Sequence, residues 1–119
     1  MRRGWRVAAA LTLAVASFSV AAQHRLGGPA IDGTVVRVRG CGNHFFVQYH
    51  NSVALAEWLG GEMVRENEVI QSTDDNASLE KEGRMTFTDL ATGRPVDFVV
   101  EKALMNPADY AKTQGEVCR

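Results

Sequence analysis

The feature that most constrains the fold is a β-rich stretch, Gly33 to Tyr49, with a cysteine in the middle of it. Two runs of β-favouring residues, Thr34 to Arg39 and Phe45 to Tyr49, flank the turn Gly40-Cys41-Gly42-Asn43. Alternating apolar and polar residues on both sides of a glycine-rich turn are typical of a β-hairpin with one buried face. We therefore predict that this hairpin begins a small barrel.

The chain has only two cysteines, Cys41 in that turn and Cys118 next to the last residue. A disulfide between them would enclose 77 residues, and small exported domains often supplement a limited core with such a bond. In the chain-entropy model a loop of this length is worth roughly 4 to 5 kcal/mol. Redox-active pairs usually lie close in sequence, as Cys-x-x-Cys, so we predict a structural disulfide.

The beginning of the chain, residues 1–22, has the pattern of a secretory signal peptide. Met1 to Arg6 holds three arginines and no acid, Val7 to Val20 is almost wholly apolar, and small residues follow. This pattern is typical of a cleaved signal, and the apolar run is short for a membrane span. We expect cleavage before Ala22 or Gln23, a periplasmic or secreted protein, and no membrane span after cleavage.

The rest of the chain is long enough for one domain. Residues 23–32 lack periodicity and contain Gly27-Gly28-Pro29, which predicts a flexible arm before a domain at residues 33–119. Signal cleavage removes three of the 13 basic residues and leaves 10 against 14 acidic ones, a net charge of −4. Such a domain lacks the basic surface of a nucleic-acid binder, so we expect no nucleic-acid partner.

Short β patterns continue after the hairpin. Val53 to Leu59 suits a helix or a third strand, and we favour the strand because the succession of short strands and turns continues. Val69-Ile70-Gln71 predicts a short strand, and the polar stretch Ser72 to Gly83 predicts a surface loop. Two further alternating runs, Met85 to Thr88 and Val96 to Glu101, flank a turn.

The end of the chain predicts a short helix. Asn106 can cap it, and Pro107 suits its first position. The expected fold is therefore mainly β, a small five- to six-stranded antiparallel barrel of OB or SH3-like type with a short C-terminal helix.

Several short motifs resemble a scattered, uncharacterised group of small exported bacterial proteins. The motifs are Gly40-Cys41-Gly42, Phe46-Val47, Leu55-Ala56-Glu57-Trp58 with Gly60-Gly61, and the terminal cysteine. The resemblance covers roughly Gly33 to Gln71 plus Cys118. It implies a small disulfide-tied β-barrel and no activity, and it supplies no catalytic residue.

A metal site is the most specific chemical alternative. Cys41 and His44 are three residues apart, and His50 shares a face with His44 in a regular strand. Zinc and copper accept both residue types. However, a disulfide would consume the thiolates, and the two histidines would lie about 20 Å apart along an ideal strand. We predict no metal and no cofactor, and keep metal binding through His44, His50 and Cys41 as the alternative.

The sequence contains no nucleophile elbow, zinc-protease motif or glycine-rich phosphate loop. Glu57 beside Trp58 could be an acid in an apolar pocket, but an outward-facing residue of an edge strand is the simpler interpretation. We therefore expect a protein without enzymatic activity.

Aromatic residues near the hairpin predict a binding surface instead. Phe46 shares a face of the second strand with His44 and Gln48, and Trp58 is close in sequence. Exposed aromatics on a barrel wall can stack on sugars or peptides. We predict a non-enzymatic binding or scaffold module with an envelope protein or a glycan as its partner. The ligand-binding candidates are His44, Phe46, Gln48 and Trp58.

Overall fold

The computed structural model describes residues 30–119. The expected signal peptide and most of the expected arm lie outside the described residues. The first strand begins at Ile31, two residues before the domain boundary predicted at Gly33.

Six strands form a closed barrel in the order β1-β2-β3-β6-β5-β4, with every pair antiparallel. The strands are β1 (Ile31–Arg37), β2 (His44–Tyr49), β3 (Ser52–Gly61), β4 (Val69–Ser72), β5 (Gly83–Asp89) and β6 (Arg94–Met105). This confirms the predicted barrel, and it confirms the strand prediction for residues 53–59. Because the barrel is closed, β3 pairs on both sides, and the interpretation of Glu57 as an edge-strand residue was wrong.

The barrel interior is filled by the apolar residues at alternate strand positions, which is how small barrels are packed. Phe98 is buried there and meets two other rings edge to face, with its centroid 5.6 Å from that of Phe45 and 5.3 Å from that of Phe87. Ala77 and Leu79 from the loop between β4 and β5 are also buried in this core. Further side chains that solvent does not reach are Val35, Val47, Ile70, Val96 and Val100.

Helix α1 (Pro107–Val117) packs on the outer wall of the barrel. Asn106 accepts a hydrogen bond of 2.9 Å from the backbone N–H of Asp109, and Pro107 follows it, as the sequence predicted. A second, smaller core lies between α1 and the wall; it contains Cys41, Phe46, Leu55, Met105 and Cys118. The predicted Cys41–Cys118 disulfide is present in this core. No helix in the described part of the chain is long and apolar enough to cross a membrane.

The β3–β6 ladder is irregular at three points. At one end Leu59 is an extra residue of β3, and near the other end Leu104 lies in a bulge of β6 with φ 58°. Between them Glu101 is an extra residue of β6, opposite the step from Leu55 to Ala56. Bulges of this kind re-aim side chains. Here Leu59 and Leu104 are exposed, and the bulge at Glu101 interrupts the pairing of β6 immediately after Val100.

Candidate functional site on the outer wall

The four predicted ligand-binding residues do not form one surface, and Phe46 is the clearest case. Its side chain is 0% exposed, because α1 covers the outer wall at this position. Its ring meets that of Tyr110 edge to face, with the centroids 5.1 Å apart. The prediction that Phe46 lies on an accessible face was therefore wrong. The sequence indicated the helix but not where it docks.

Trp58 and Gln48 are also separated from His44. Trp58 is half-buried against the interior core, and its indole N–H donates to the carbonyl oxygen of Glu62 at 3.2 Å. Gln48 is exposed on the outer side of β2, but the covered Phe46 lies between it and His44. Of the four candidates, His44 is the one that lies in a cluster of chemically active side chains.

That cluster consists of His44, Glu57 and Glu101, one residue from each of three adjacent strands. Glu57 lies directly opposite His44 in the β2–β3 register. His44 Nε2 lies 3.0 Å from Glu101 Oε1, and the side chains of His44 and Glu101 are 29% and 37% exposed. One nitrogen or oxygen atom from each of the three residues lies within 4.8 Å of those of the other two. The arrangement can bind a cation from the solvent side.

The local sequence explains why the three side chains face the same way. In β2, Phe45 and Val47 occupy the interior, so His44 points outwards. In β3, Ala56 occupies the interior, so Glu57 points outwards as well. Strand alternation, with a period of two residues, therefore gives the first two members of the cluster.

The third member, Glu101, lies at a bulge in β6. Val100 faces the barrel interior, and the bulge adds Glu101 before the next paired residue. From this position the Glu101 carboxylate reaches His44, and a regular ladder would give a different spacing along β6.

The cluster carries more negative than positive charge. Glu57 and Glu101 lie beside one imidazole, and among residues 30–119 no lysine or arginine is within salt-bridge distance of either carboxylate. Two carboxylates this close repel each other. A cation bound between them would relieve that repulsion.

The predicted alternative metal set of His44, His50 and Cys41 is not brought together. The sulfur of Cys41 is bonded to Cys118, so it offers no thiolate. His50 follows the end of β2 and lies against Tyr49, with ring centroids 4.1 Å apart. His44 and His50 thus sit at opposite ends of the same strand.

Sequence reasoning missed Glu57 and Glu101 as partners of His44. For Glu57 a signal exists, since the turn at His50-Asn51 fixes the β2–β3 register and thereby pairs residues 44 and 57. For Glu101, alternation with the buried Val100 gives the outward face, but the bulge that sets its place along β6 leaves no pattern in this sequence.

Another carboxylate, that of Glu66, holds the chain just after β1. Its Oε2 accepts hydrogen bonds of 2.9 Å from the backbone N–H groups of Val38 and Arg39. These two bonds lower the pKa of the Glu66 carboxyl, and the nearby Arg39 and Arg37 guanidinium groups lower it further. The Glu66 side chain thus connects its own segment to the residues just after β1.

Glu68 and Asp89 are adjacent acids, and the pKa of Glu68 is shifted in the direction opposite to that of Glu66. Asp89 is fully buried; its Oδ1 accepts the backbone N–H of Ala91 at 2.9 Å, and its Oδ2 has no hydrogen-bond partner among the described residues. Burial raises the pKa of the Glu68 carboxyl, and the adjacent Asp89 side chain raises it further. In this environment the protonated form of the Glu68 carboxyl is favoured relative to that of a free glutamate.

His44, Glu57 and Glu101 thus remain the candidate site, on a convex wall formed by β2, β3 and β6. No protein-family model, curated protein or solved structure compared with the chain matches it.

Proposed function

We propose that the protein is an exported binding module, without enzymatic activity of its own, that holds a cationic ligand on the outer wall of its barrel. The observation that carries this proposal is the convergence of the Glu57 and Glu101 carboxylates beside His44. Within the described residues, neither carboxylate has a lysine or arginine partner. A cationic ligand supplies the missing opposite charge.

Two features of the chain support export. Residues 1–22 have the basic start, the short apolar run and the small residues near the cleavage point that are typical of a cleaved signal peptide. The Cys41–Cys118 disulfide is of a kind that persists in oxidising compartments. The periplasm or the cell exterior fits both.

The position of the site supports binding in preference to catalysis. Catalytic and small-molecule sites are usually concave and bury most of the ligand. His44, Glu57 and Glu101 instead stand on the convex outside of a barrel whose interior is filled by phenylalanine and valine side chains. A ligand at this site remains open to solvent on one side.

The charge of the site also favours one of the two partner classes expected from the sequence. An envelope protein that presents a lysine or arginine side chain complements the carboxylates. Stacking on a glycan requires exposed aromatic rings, but Phe46 is covered by α1 and Trp58 packs against the interior core.

The proposal is tested by a nuclear magnetic resonance titration of the oxidised domain with a panel of cations. The panel includes an oligolysine peptide and divalent metal salts, with an oligoglutamate peptide as the negative control. We expect saturable shifts centred on His44, Glu57 and Glu101 for at least one cation, and their loss in the double variant Glu57→Gln/Glu101→Gln. The absence of saturable binding by every cation in the panel would contradict the proposal.

A further inference from the structure

We infer that the cation is a first-row divalent transition metal, bound by an imidazole nitrogen of His44 and one carboxylate oxygen each of Glu57 and Glu101. This inference rests on the proposed function and narrows its ligand from any cation to one chemical class.

The distances between the ligand atoms fit one ion. His44 Nε2 and Glu101 Oε1 are 3.0 Å apart, and all three ligand atoms lie within 4.8 Å of one another. Two ligands bound to the same zinc ion at about 2.0 to 2.2 Å are separated by about 3.3 Å in tetrahedral geometry. Rotation of the two glutamate side chains can bring the ligand atoms to this separation. The ion would lie between His44 Nε2 and the Glu101 carboxylate, in place of their present direct contact.

The backbone holds the three residues in place before any ion arrives. Each lies within a strand of the closed barrel, and the strands β2, β3 and β6 are hydrogen-bonded neighbours. Sites built on strands are positioned more accurately than sites on loops. The bulge at Glu101 contributes to this arrangement, because it adds a residue to β6 beside the paired His44 and Glu57.

The types of ligand atom select the class of metal. Imidazole nitrogen suits zinc, iron, nickel and copper, and carboxylate oxygen is accepted by zinc and manganese. Calcium and magnesium prefer sites built from oxygen alone, and calcium requires six to eight ligands. Soft monovalent copper favours thiolate, which Cys41 and Cys118 do not offer because they are bonded to each other.

The exposure of the site determines how the coordination shell of the ion would be completed. With the side chains of His44 and Glu101 partly exposed, the outward side of the ion faces solvent. Three protein ligands leave at least one coordination position, as in zinc sites that keep an open position. Water, or a carboxylate or imidazole from a binding partner, would fill it.

The test uses the oxidised domain and two metal probes. Cobalt(II) chloride should produce visible absorption bands that saturate at one equivalent, and zinc chloride should displace them. His44→Gln, Glu57→Gln and Glu101→Gln should each weaken zinc binding, measured by calorimetry, by at least about tenfold, since even loss of an indirect supporting contact costs that much. Two matched controls, His50→Asn and Glu116→Gln, should bind as the wild type does, because neither residue belongs to the cluster.

Each outcome decides between this inference and the broader proposal. If cobalt and zinc do not bind stoichiometrically, or if His44→Gln binds zinc as tightly as the wild type, the metal inference is wrong. If the oligolysine peptide nevertheless binds and needs Glu57 and Glu101, the proposed cation-binding function stands without the metal. Circular dichroism of each variant checks its fold, and Glu101→Gln, at an exposed position, provides the decisive comparison if His44→Gln is unfolded.

Discussion

The backbone N–H of Arg119 donates a hydrogen bond of 2.7 Å to the carbonyl oxygen of Gly40, beside the Cys41–Cys118 disulfide. The end of the chain is therefore tied to the turn between β1 and β2 by its main chain as well as by sulfur. Because α1 immediately precedes this tie, the two bonds hold the helix against the outer wall and keep Phe46 covered.

Replacing Gly40 should test how closely the chain end approaches this turn. Gly40 has φ 79°, and a Cβ there would clash with the carbonyl oxygen of Arg119. Gly42 is the matched control, since its φ is 65° and a Cβ there would meet nothing within 4 Å. Both alanine variants incur the left-handed backbone penalty of about 1 to 2 kcal/mol. We expect Gly40→Ala to lower the free energy of unfolding further than Gly42→Ala in urea titrations; equal losses would contradict the proposed contact.

Removing the disulfide should destabilise the domain strongly. The bond spans 77 residues, and the chain-entropy model assigns such a loop roughly 4 to 5 kcal/mol. We expect the variant Cys41→Ala/Cys118→Ala to lose most of this in urea titrations, with a smaller helical signal because α1 is no longer held. Non-reducing peptide mapping of the native protein checks the bond itself. Two cysteines that alkylate readily in the native protein would count against it.

Phe46 should behave as a core residue in mutational tests. Truncating a fully buried phenylalanine costs about 3 to 5 kcal/mol, so Phe46→Ala should lower the unfolding free energy by about that amount. The control is Gln48→Ala, on the same side of β2 but exposed, where a change within about 0.5 kcal/mol is expected. A Phe46→Ala variant as stable as the wild type would mean that α1 does not cover the wall.

The barrel could be predicted because its determinants are local. Alternation in β2 and β6, the glycines around Cys41 and the Asn106-Pro107 pair each specify an element through nearby residues. The position of α1 depends instead on contacts between distant segments, such as Phe46 with Tyr110. That is why Phe46 was predicted to be exposed although its strand was assigned correctly.

The candidate site was predictable only in part, for the same reason. His44 was recognised from its type and its strand face, and the hairpin register could have added Glu57. Glu101 depends on a bulge in a ladder between strands that are far apart in sequence. A bulge is set by the competition of many non-local contacts, so the residue that completes the cluster could not be derived from alternation alone.

Export predicts a shortened N-terminus on the mature protein. Val20 and Ala22, or Ser19 and Ala21, provide the small side chains that signal peptidase accepts near its cleavage point. Mass spectrometry of the native protein, isolated from its own cell envelope or medium, should find a chain that begins at Ala22 or Gln23. A folded native protein that retains Met1 would contradict this prediction.

Glu66 and Glu68 should give the stability of the domain opposite dependences on pH. The folded-state pKa of Glu66 is lowered from its ordinary value of 4.5, so its stabilising effect is present above that value and is lost as the pH falls through the folded-state pKa. Glu66→Gln should therefore be less stable than the wild type at neutral pH. The difference should fade in acid, when measured as urea midpoints across a pH series.

For Glu68 the dependence of stability on pH has the opposite sign. Its folded-state pKa is raised from 4.5 by burial and by Asp89, so its stabilising effect is complete below 4.5 and is lost as the pH rises through the folded-state pKa. The amide in Glu68→Gln mimics the protonated acid: it can donate to Asp89 and still accept the backbone N–H of Arg65, now 2.8 Å from Glu68 Oε1. We expect this variant to exceed the wild type by about 1 kcal/mol at pH 7, the typical net value of one hydrogen bond. The advantage should shrink as the pH falls through the folded-state pKa of Glu68 and be smallest below 4.5; a Glu68→Gln variant less stable than the wild type at pH 7 would contradict this prediction.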